Sequence, residues 1–208
     1  MNIGFFFKKT TEDSIIHLEF AKHMLASVRQ VMPNVPVTQF TDLTSPILDG
    51  VDSFVRLPED MPMALMRMTH HASCLGDWLF CDPDIIFKND IQDVFDEPFD
   101  VALTDREGTY MEHTDYAEEQ PYNTGVVFSR NPDFFKEVIR QLKQYPNKLQ
   151  EWEGDQRVIC NMAMDQETPF DIIVIPGLTH NFTPETQHED VSHASILHYK
   201  GARKAWIK

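Results

Sequence analysis

Residues Trp78 to Phe95 read WLFCDPDIIFKNDIQDVF, and inside them Asp82-Pro83-Asp84 sets two carboxylates at the end of an apolar stretch. Buried without a partner, such carboxylates would be costly, so they demand a cation, a basic side chain or water. Pro83 fixes φ and offers no amide hydrogen, so a strand through Trp78, Leu79 and Phe80 stops pairing there. Two hard oxygen ligands at a strand end suit Mn²⁺ or Mg²⁺, with a substrate phosphate completing the shell. A solvated acidic turn is the competing reading of the same three residues. Further chemistry-bearing residues fall at similar places. Asp105 follows an apolar run at Val101–Leu103, and Asn123 precedes the run Gly125–Phe128. Asp155-Gln156 heads an amphipathic segment, and His198, Lys200, Arg203 and Lys204 follow Ile196.

The elements that must position these residues are legible from periodicity. Asn2–Phe7 reads as a first buried strand. Apolar residues at helical spacing (Ile16, Phe20, Met24, Val28) predict a helix over Asp13–Met32, with Thr11 or Asp13 as cap and Pro33 and Pro36 beyond its end. Val37–Phe40, closed by Thr41-Asp42, is a short strand, and Phe54–Leu57 a weaker one. Met63–Leu75 is predicted as a helix leading into Trp78–Phe80, and Ile91–Phe95 as a helical turn. Val101–Leu103, Gly125–Phe128, Ile172–Ile175 and Ile196–Tyr199 complete the strands. Helices are predicted from Asn131 or Asp133 to Gln144 and over Asp155–Met164. Strands alternating with helices imply an α/β fold whose mostly parallel sheet is covered on both faces. In such sheets ligands sit beyond the carboxyl ends of the strands. The polar segments 106–121 and 178–195 are poorly periodic and read as functional lids at that edge.

Bulk properties narrow the classes. At 208 residues the chain holds one sizeable core, and 1–208 is expected to be a single domain. A net charge of −15 argues against nucleic-acid binding through a broad basic surface, although the basic C-terminal stretch is a local exception. No apolar run reaches the length of a membrane span, and MNIGFFFKK is apolar before it is basic, the reverse of a signal peptide. Cys74, Cys81 and Cys160 are odd in number and lack metal-finger spacing, so reduced thiols and a cytoplasmic location are expected.

Four segments line up along the chain: Asp82-Pro83-Asp84; Tyr122-Asn123-Thr124-Gly125-Val126-Val127; Gly154-Asp155-Gln156 followed by Asn161; and His198-Tyr199-Lys200-Gly201-Ala202-Arg203-Lys204-Ala205-Trp206. Together they resemble the GT-A-fold retaining glycosyltransferases of the glycogenin and lipopolysaccharide galactosyltransferase group, over residues 60–206. The resemblance implies a Rossmann-like, mostly parallel central sheet with helices on both faces. It implies a divalent metal, Mn²⁺ or Mg²⁺, held by Asp82, Asp84 and His198, with Asp82 also near the ribose. It assigns the donor to Arg67, Asp82, Asp105, Asn123, Gly201 and Lys204, the last as a point charge on the diphosphate. Asp155 and Gln156 fall at the catalytic positions, Gln156 lying against the β-face of the donor sugar. Glutamine is a poor nucleophile, so front-face substitution is the more economical retaining mechanism, with Asp155 as the alternative nucleophile. Ala205 stands where the pattern has proline, and the N-terminal segment lacks the usual nucleotide-binding loop sequence.

The expected activity is metal-dependent transfer of a sugar from a nucleoside-diphosphate sugar, UDP-linked by resemblance, with retention. The acceptor stays open between a glycan, a protein and a modified nucleotide, and its site is expected from 106–121 and 178–195. A catalytically weak or inactive nucleotide-sugar-binding homologue is the alternative. A sugar nucleotidyltransferase or an inverting enzyme would need a glycine-rich phosphate loop near the first strand, and Gly4 alone does not supply one.

Overall fold

The computed structural model describes the chain except for Glu12, Glu59, residues 107–118, Trp152 and Lys208. Nine strands form two sheets among the described residues. Seven of them, β1 (Asn2–Phe6), β2 (Val37–Asp42), β3 (Ser53–Leu57), β4 (Trp78–Cys81), β6 (Val101–Asp105), β7 (Tyr122–Ser129) and β8 (Ile172–Ile175), build a central sheet in the order β3-β2-β1-β4-β7-β6-β8. All neighbours are parallel except β7, which runs antiparallel to both β4 and β6. The remaining pair, β5 (Ile85–Phe87) and β9 (Ile196–His198), is a small antiparallel sheet of its own.

Alternation along the strands divides the core in two, as the period of two requires. Ile3, Phe5, Leu79, Cys81, Ala102, Val126 and Phe128 face helix α1 (Ile16–Val31), which presents Leu18, Ala21, Met24, Leu25 and Val28. Phe80, Val101, Leu103 and Val127 face the other way. There they meet α2 (Met63–His71), α3 (Pro132–Leu142) and α5 (Gly154–Met164) through residues such as Leu65, Met68, Phe134, Val138, Val158 and Ile159. The predicted covered α/β sheet is thus what the chain forms.

Several boundaries differ for identifiable reasons. Helix α1 follows a short 3₁₀ turn at Asp13–Ile15, whose start is capped when Ser14 N donates to Thr11 Oγ1 at 3.2 Å. Helix α2 stops at His71 rather than Leu75. Ser73 turns back there, its N and Oγ both donating to His70 O (3.0 and 2.6 Å), an alternative to continued helix. Helix α3 begins where expected, because Asn131 Oδ1 accepts from Asp133 N at 3.0 Å and Pro132 takes the first turn. The short helices α4 (Asn147–Glu151) and α6 (Gly177–His180) were not expected. Segment 178–195 is no bare loop: Phe182 and Ala194 are buried with Leu197 in a third small cluster. Of the other expected lid, 107–118 lies outside the described residues.

Candidate active site

Asp82-Pro83-Asp84 forms the corner between the two sheets. Asp82 closes the central sheet, its N–H donating to Gly125 O at 2.9 Å, one residue past the Cys81–Val126 pair. Pro83 cannot donate, and pairing changes partner. Asp84 O then accepts from Tyr199 N at 3.0 Å, and Ile85 pairs with His198. The switch brings β9 and its histidine over the end of β4. One ligand atom from each of Asp82, Asp84 and His198 lies within 4.8 Å of the others. His198 Nε2 is 3.3 Å from Asp84 Oδ1 and 3.7 Å from Asp82 Oδ2, and its Nδ1 is 2.9 Å from Asn181 Oδ1.

Electrostatics favour a charged Asp84 here. Burial on its own would raise the Asp84 carboxyl, but His198 and then Lys204, whose Nζ is 2.8 Å from Asp84 Oδ2, hold it well below the usual carboxylate range. Two carboxylate oxygens and an imidazole nitrogen, with compensating positive charge already in place, fit a divalent cation that accepts mixed oxygen and nitrogen ligands. Asp84 is buried and partnered, and the half-buried Asp82 stands beside Arg67 and His198, so the solvated-turn reading of Asp82-Pro83-Asp84 does not hold.

These groups open into a cleft of about 460 Å³ beyond the strand ends. Arg67, Asp82, Asp84, Asn123, Asp155, Gln156, His198, Gly201 and Lys204 all line it. Arg67 reaches across from α2. Its Nε donates to Asp155 Oδ2 at 2.7 Å, its Nη2 bonds the same oxygen, and Nη1 stands 3.5 Å from Asp82 Oδ1. Burial opposes the guanidinium charge, and Asp155 and Asp82 more than restore it. Asp155 is fully buried in the first turn of α5, where Oδ1 accepts from Gln156 N at 2.9 Å. Glu153, with a left-handed φ of 66°, turns the chain into that helix. Gln156 Oε1 accepts from Thr124 N (3.4 Å) and Oγ1 (3.3 Å), and its amide nitrogen donates to Gln120. Asn123 Oδ1 accepts from Gly125 N at 2.8 Å, which makes it a turn residue as well as a cleft residue. Gly201 takes φ 55°, a backbone that side chains resist.

Asp105 is the exception. It does not line the cleft, and its Oδ1 accepts from Gly177 N at 2.8 Å at the start of α6. Conversely, the cleft holds residues to which the sequence assigned no donor or metal role, among them His17, Arg106 and Lys200. The Nζ of Lys200 is buried with no hydrogen-bond partner among the described residues, and burial, then Arg106, pulls its pKa down to about 7 against the opposing effect of Asp82 and Asp84. Its place beside Gly201 in the C-terminal basic stretch was the only available signal. His17 faces the cleft from α1, where it reads as an ordinary polar helix position. Among the described residues three glycines have positive φ, and Gly125 is not one of them. Its requirement is space: a Cβ there would lie 2.3 Å from His198 Cε1 and 2.9 Å from Asp82 Oδ2.

Comparisons with known proteins agree with this architecture. No curated protein sequence is significantly similar to the chain. Among solved structures, the galactosyltransferase LgtC, in complex with donor and acceptor sugar analogs, superimposes with a TM-score of 0.63 at 12% identity, over 97% of this chain and 88% of LgtC. A glycosyltransferase involved in glycosylation of the major capsid of PBCV-1 gives 0.61 at 15% identity, over 99% and 97%. Mouse xyloside xylosyltransferase 1 gives 0.60 at 12%, over 95% and 96%. At these identities the likeness establishes the GT-A fold. The model of the nucleotide-diphospho-sugar transferase family matches residues 76–200, more than half the chain, from the turn before β4 to two residues past His198. The chain therefore belongs to the nucleotide-diphospho-sugar transferase family, as a glycosyltransferase of GT-A fold.

Proposed function

We propose that this chain, as one domain over 1–208, transfers a sugar from a UDP-sugar to an acceptor with retention, using Mn²⁺. The observation that carries the reading is the cluster of Asp82, Asp84 and His198, within 4.8 Å of one another and beside Lys204 and Arg67 in one cleft. Asp82, Asp84 and His198 would hold the metal, which when bound supplies a Lewis acid for the departing diphosphate. Lys204, which rests on Asp84, moves its point charge to the phosphate oxygens as charge builds there. Gly201, beside it, leaves backbone open to the diphosphate. Asn123 and Asp155 orient the sugar. Asp155 is neutralised by Arg67 and by the Gln156 amide, which makes it a weak nucleophile. That bonding supports front-face substitution guided by the leaving diphosphate, with Gln156 lying against the sugar. Asp105, whose Oδ1 accepts from Gly177 N, stays in the proposal as a strand-end carboxylate for the donor sugar and also supports the start of α6.

The retention of both aspartates, His198 and Lys204 in one geometry favours turnover over an inactive binding homologue. A cytoplasmic location is supported by three free, buried cysteines. Among the described residues no helix is long and apolar enough to cross a membrane.

The test is thermal. Mn²⁺ with UDP at about 100 times the Kd adds about 2.7 kcal/mol and raises the Tm by several degrees. Asp84→Ala abolishes the shift. Lys204→Ala keeps Mn²⁺ binding but slows metal-dependent hydrolysis of the preferred UDP-sugar, found by screening donors for UDP release. If no nucleoside diphosphate stabilises the protein with Mn²⁺, the proposal fails.

A further inference from the structure

We propose that Asn181, itself oriented by Thr104, fixes the tautomer of His198 and so presents Nε2 of the ring to the metal cluster as an unprotonated ligand. The proposal rests on the metal reading above and adds two residues to it.

One group in the relay has no choice of role. Asn123 O is a backbone carbonyl, which can only accept. Thr104 Oγ1 lies 3.1 Å from it and must donate, spending its single proton. The same oxygen is 2.7 Å from Asn181 Nδ2, so it accepts there, and the Asn181 amide is held with Nδ2 toward Thr104. Its Oδ1 consequently faces His198 Nδ1 at 2.9 Å and accepts from it. His198 is thereby required to carry a proton on Nδ1. The opposite ring nitrogen, Nε2, is the one 3.3 Å from Asp84 and 3.7 Å from Asp82. In the neutral ring that nitrogen has a lone pair and no proton, the state a metal ligand needs.

Every member of the relay is buried. Thr104 and Asn181 are fully inaccessible, and Asn123 and His198 nearly so, so water does not scramble the order. The relay also joins four parts of the fold: β6, β7, the chain after α6, and β9. The register shift between Leu103 and Thr104 lies at its origin, where Thr104 pairs with Asn123. Thr104 and Asn181 touch neither nucleotide nor metal on this reading. They are positioning residues.

The test reads the tautomer directly. Long-range ¹H–¹⁵N NMR of histidine-labelled, metal-free protein at alkaline pH distinguishes a proton on Nδ1 from one on Nε2. The wild type should show His198 protonated on Nδ1. Asn181→Leu should lose that signature and bind Mn²⁺ ten- to a hundredfold more weakly, measured by electron paramagnetic resonance without donor. Asn181→Asp keeps an acceptor for Nδ1–H and should restore the tautomer signature. Thr104→Val should weaken Mn²⁺ binding, and Thr104→Ser should restore it; this pair decides the matter if Asn181→Leu does not fold. A wild-type His198 protonated on Nε2 overturns the proposal, as does a folded Asn181→Leu with unchanged tautomer and Mn²⁺ affinity. A wild type that binds no Mn²⁺ overturns the metal reading, while the tautomer measurement still judges the relay.

Discussion

At the scale of single residues, the Arg67–Asp155 pair bears most weight in the cleft. Asp155 is fully buried, and Arg67 is mostly so. A buried charge that loses its partner is far more costly than a pair replaced by apolar groups. Asp155→Ala should therefore destabilise the fold by about 3 kcal/mol, the low end of the range for broken buried pairs, since Asp82 still stands near Arg67. The double replacement Arg67→Leu with Asp155→Leu should recover most of that loss and still release no UDP from donor. Urea denaturation of the three proteins checks the order; a single variant as stable as the double one would sink the argument. Both residues were visible in the sequence, Asp155 through its motif and Arg67 through its place before the metal strand. Their bond was not, because it joins positions 88 apart and no local pattern encodes it. Asp105 shows the opposite case: its strand-end position matched the motif logic, yet an orphan N–H at the start of α6 draws its carboxylate instead.

At the scale of elements, the site depends on how closely β7 approaches β9. A Cβ on Gly125 would fall 2.3 Å from His198 Cε1 and 2.8 Å from its Nδ1. The ring cannot retreat easily, since it is buried and held by Asn181. Gly125→Ala should therefore displace His198, abolish the Mn²⁺-dependent rise in Tm, and cost about 1–3 kcal/mol through overpacking. Calorimetry with and without Mn²⁺ measures both effects, and an unchanged metal response would show that the ring has room. The sequence placed this glycine in a motif without giving its reason, which is a contact between residues 125 and 198. Long strands and helices were legible because their periods repeat. Strand β9 was legible as Ile196–Tyr199, but β5 and the pairing of the two were not, because a three-residue strand carries no period, and the same holds for four-residue α6. Yet that small sheet is what converts Asp82-Pro83-Asp84 from a strand end into a three-sided cluster.

At the scale of the whole molecule, the pH dependence of folding separates core histidines from the site. His70 is buried between Phe6 and Phe40, and its Nε2–H donates to Thr41 O at 3.1 Å. Its Nδ1 has no partner among the described residues, and burial pulls the pKa from 6.5 to about 4 against the lesser effect of Thr41. His71, stacked on Phe80 at 3.8 Å, is pulled well below its ordinary value, again chiefly by burial. The unfolded chain takes up protons on these rings as pH falls below 6.5, whereas the folded chain does not until about 4 for His70. Stability from a neutral His70 is thus complete above pH 6.5 and is lost progressively down to about 4. A shift of this size corresponds to about 3 kcal/mol. Asp84 acts in a lower window: its folded pKa is depressed below 3.8, so its contribution persists above that value and is lost only under stronger acid. His70→Gln keeps an amide donor for Thr41 O but cannot titrate. Its stability should start below that of the wild type at pH 7, with the gap narrowing by about 3 kcal/mol by pH 4 as only the wild type loses the His70 contribution. Denaturation curves of the two proteins at pH steps through this interval measure the gap, and parallel curves would mean that His70 is already solvated in the folded state.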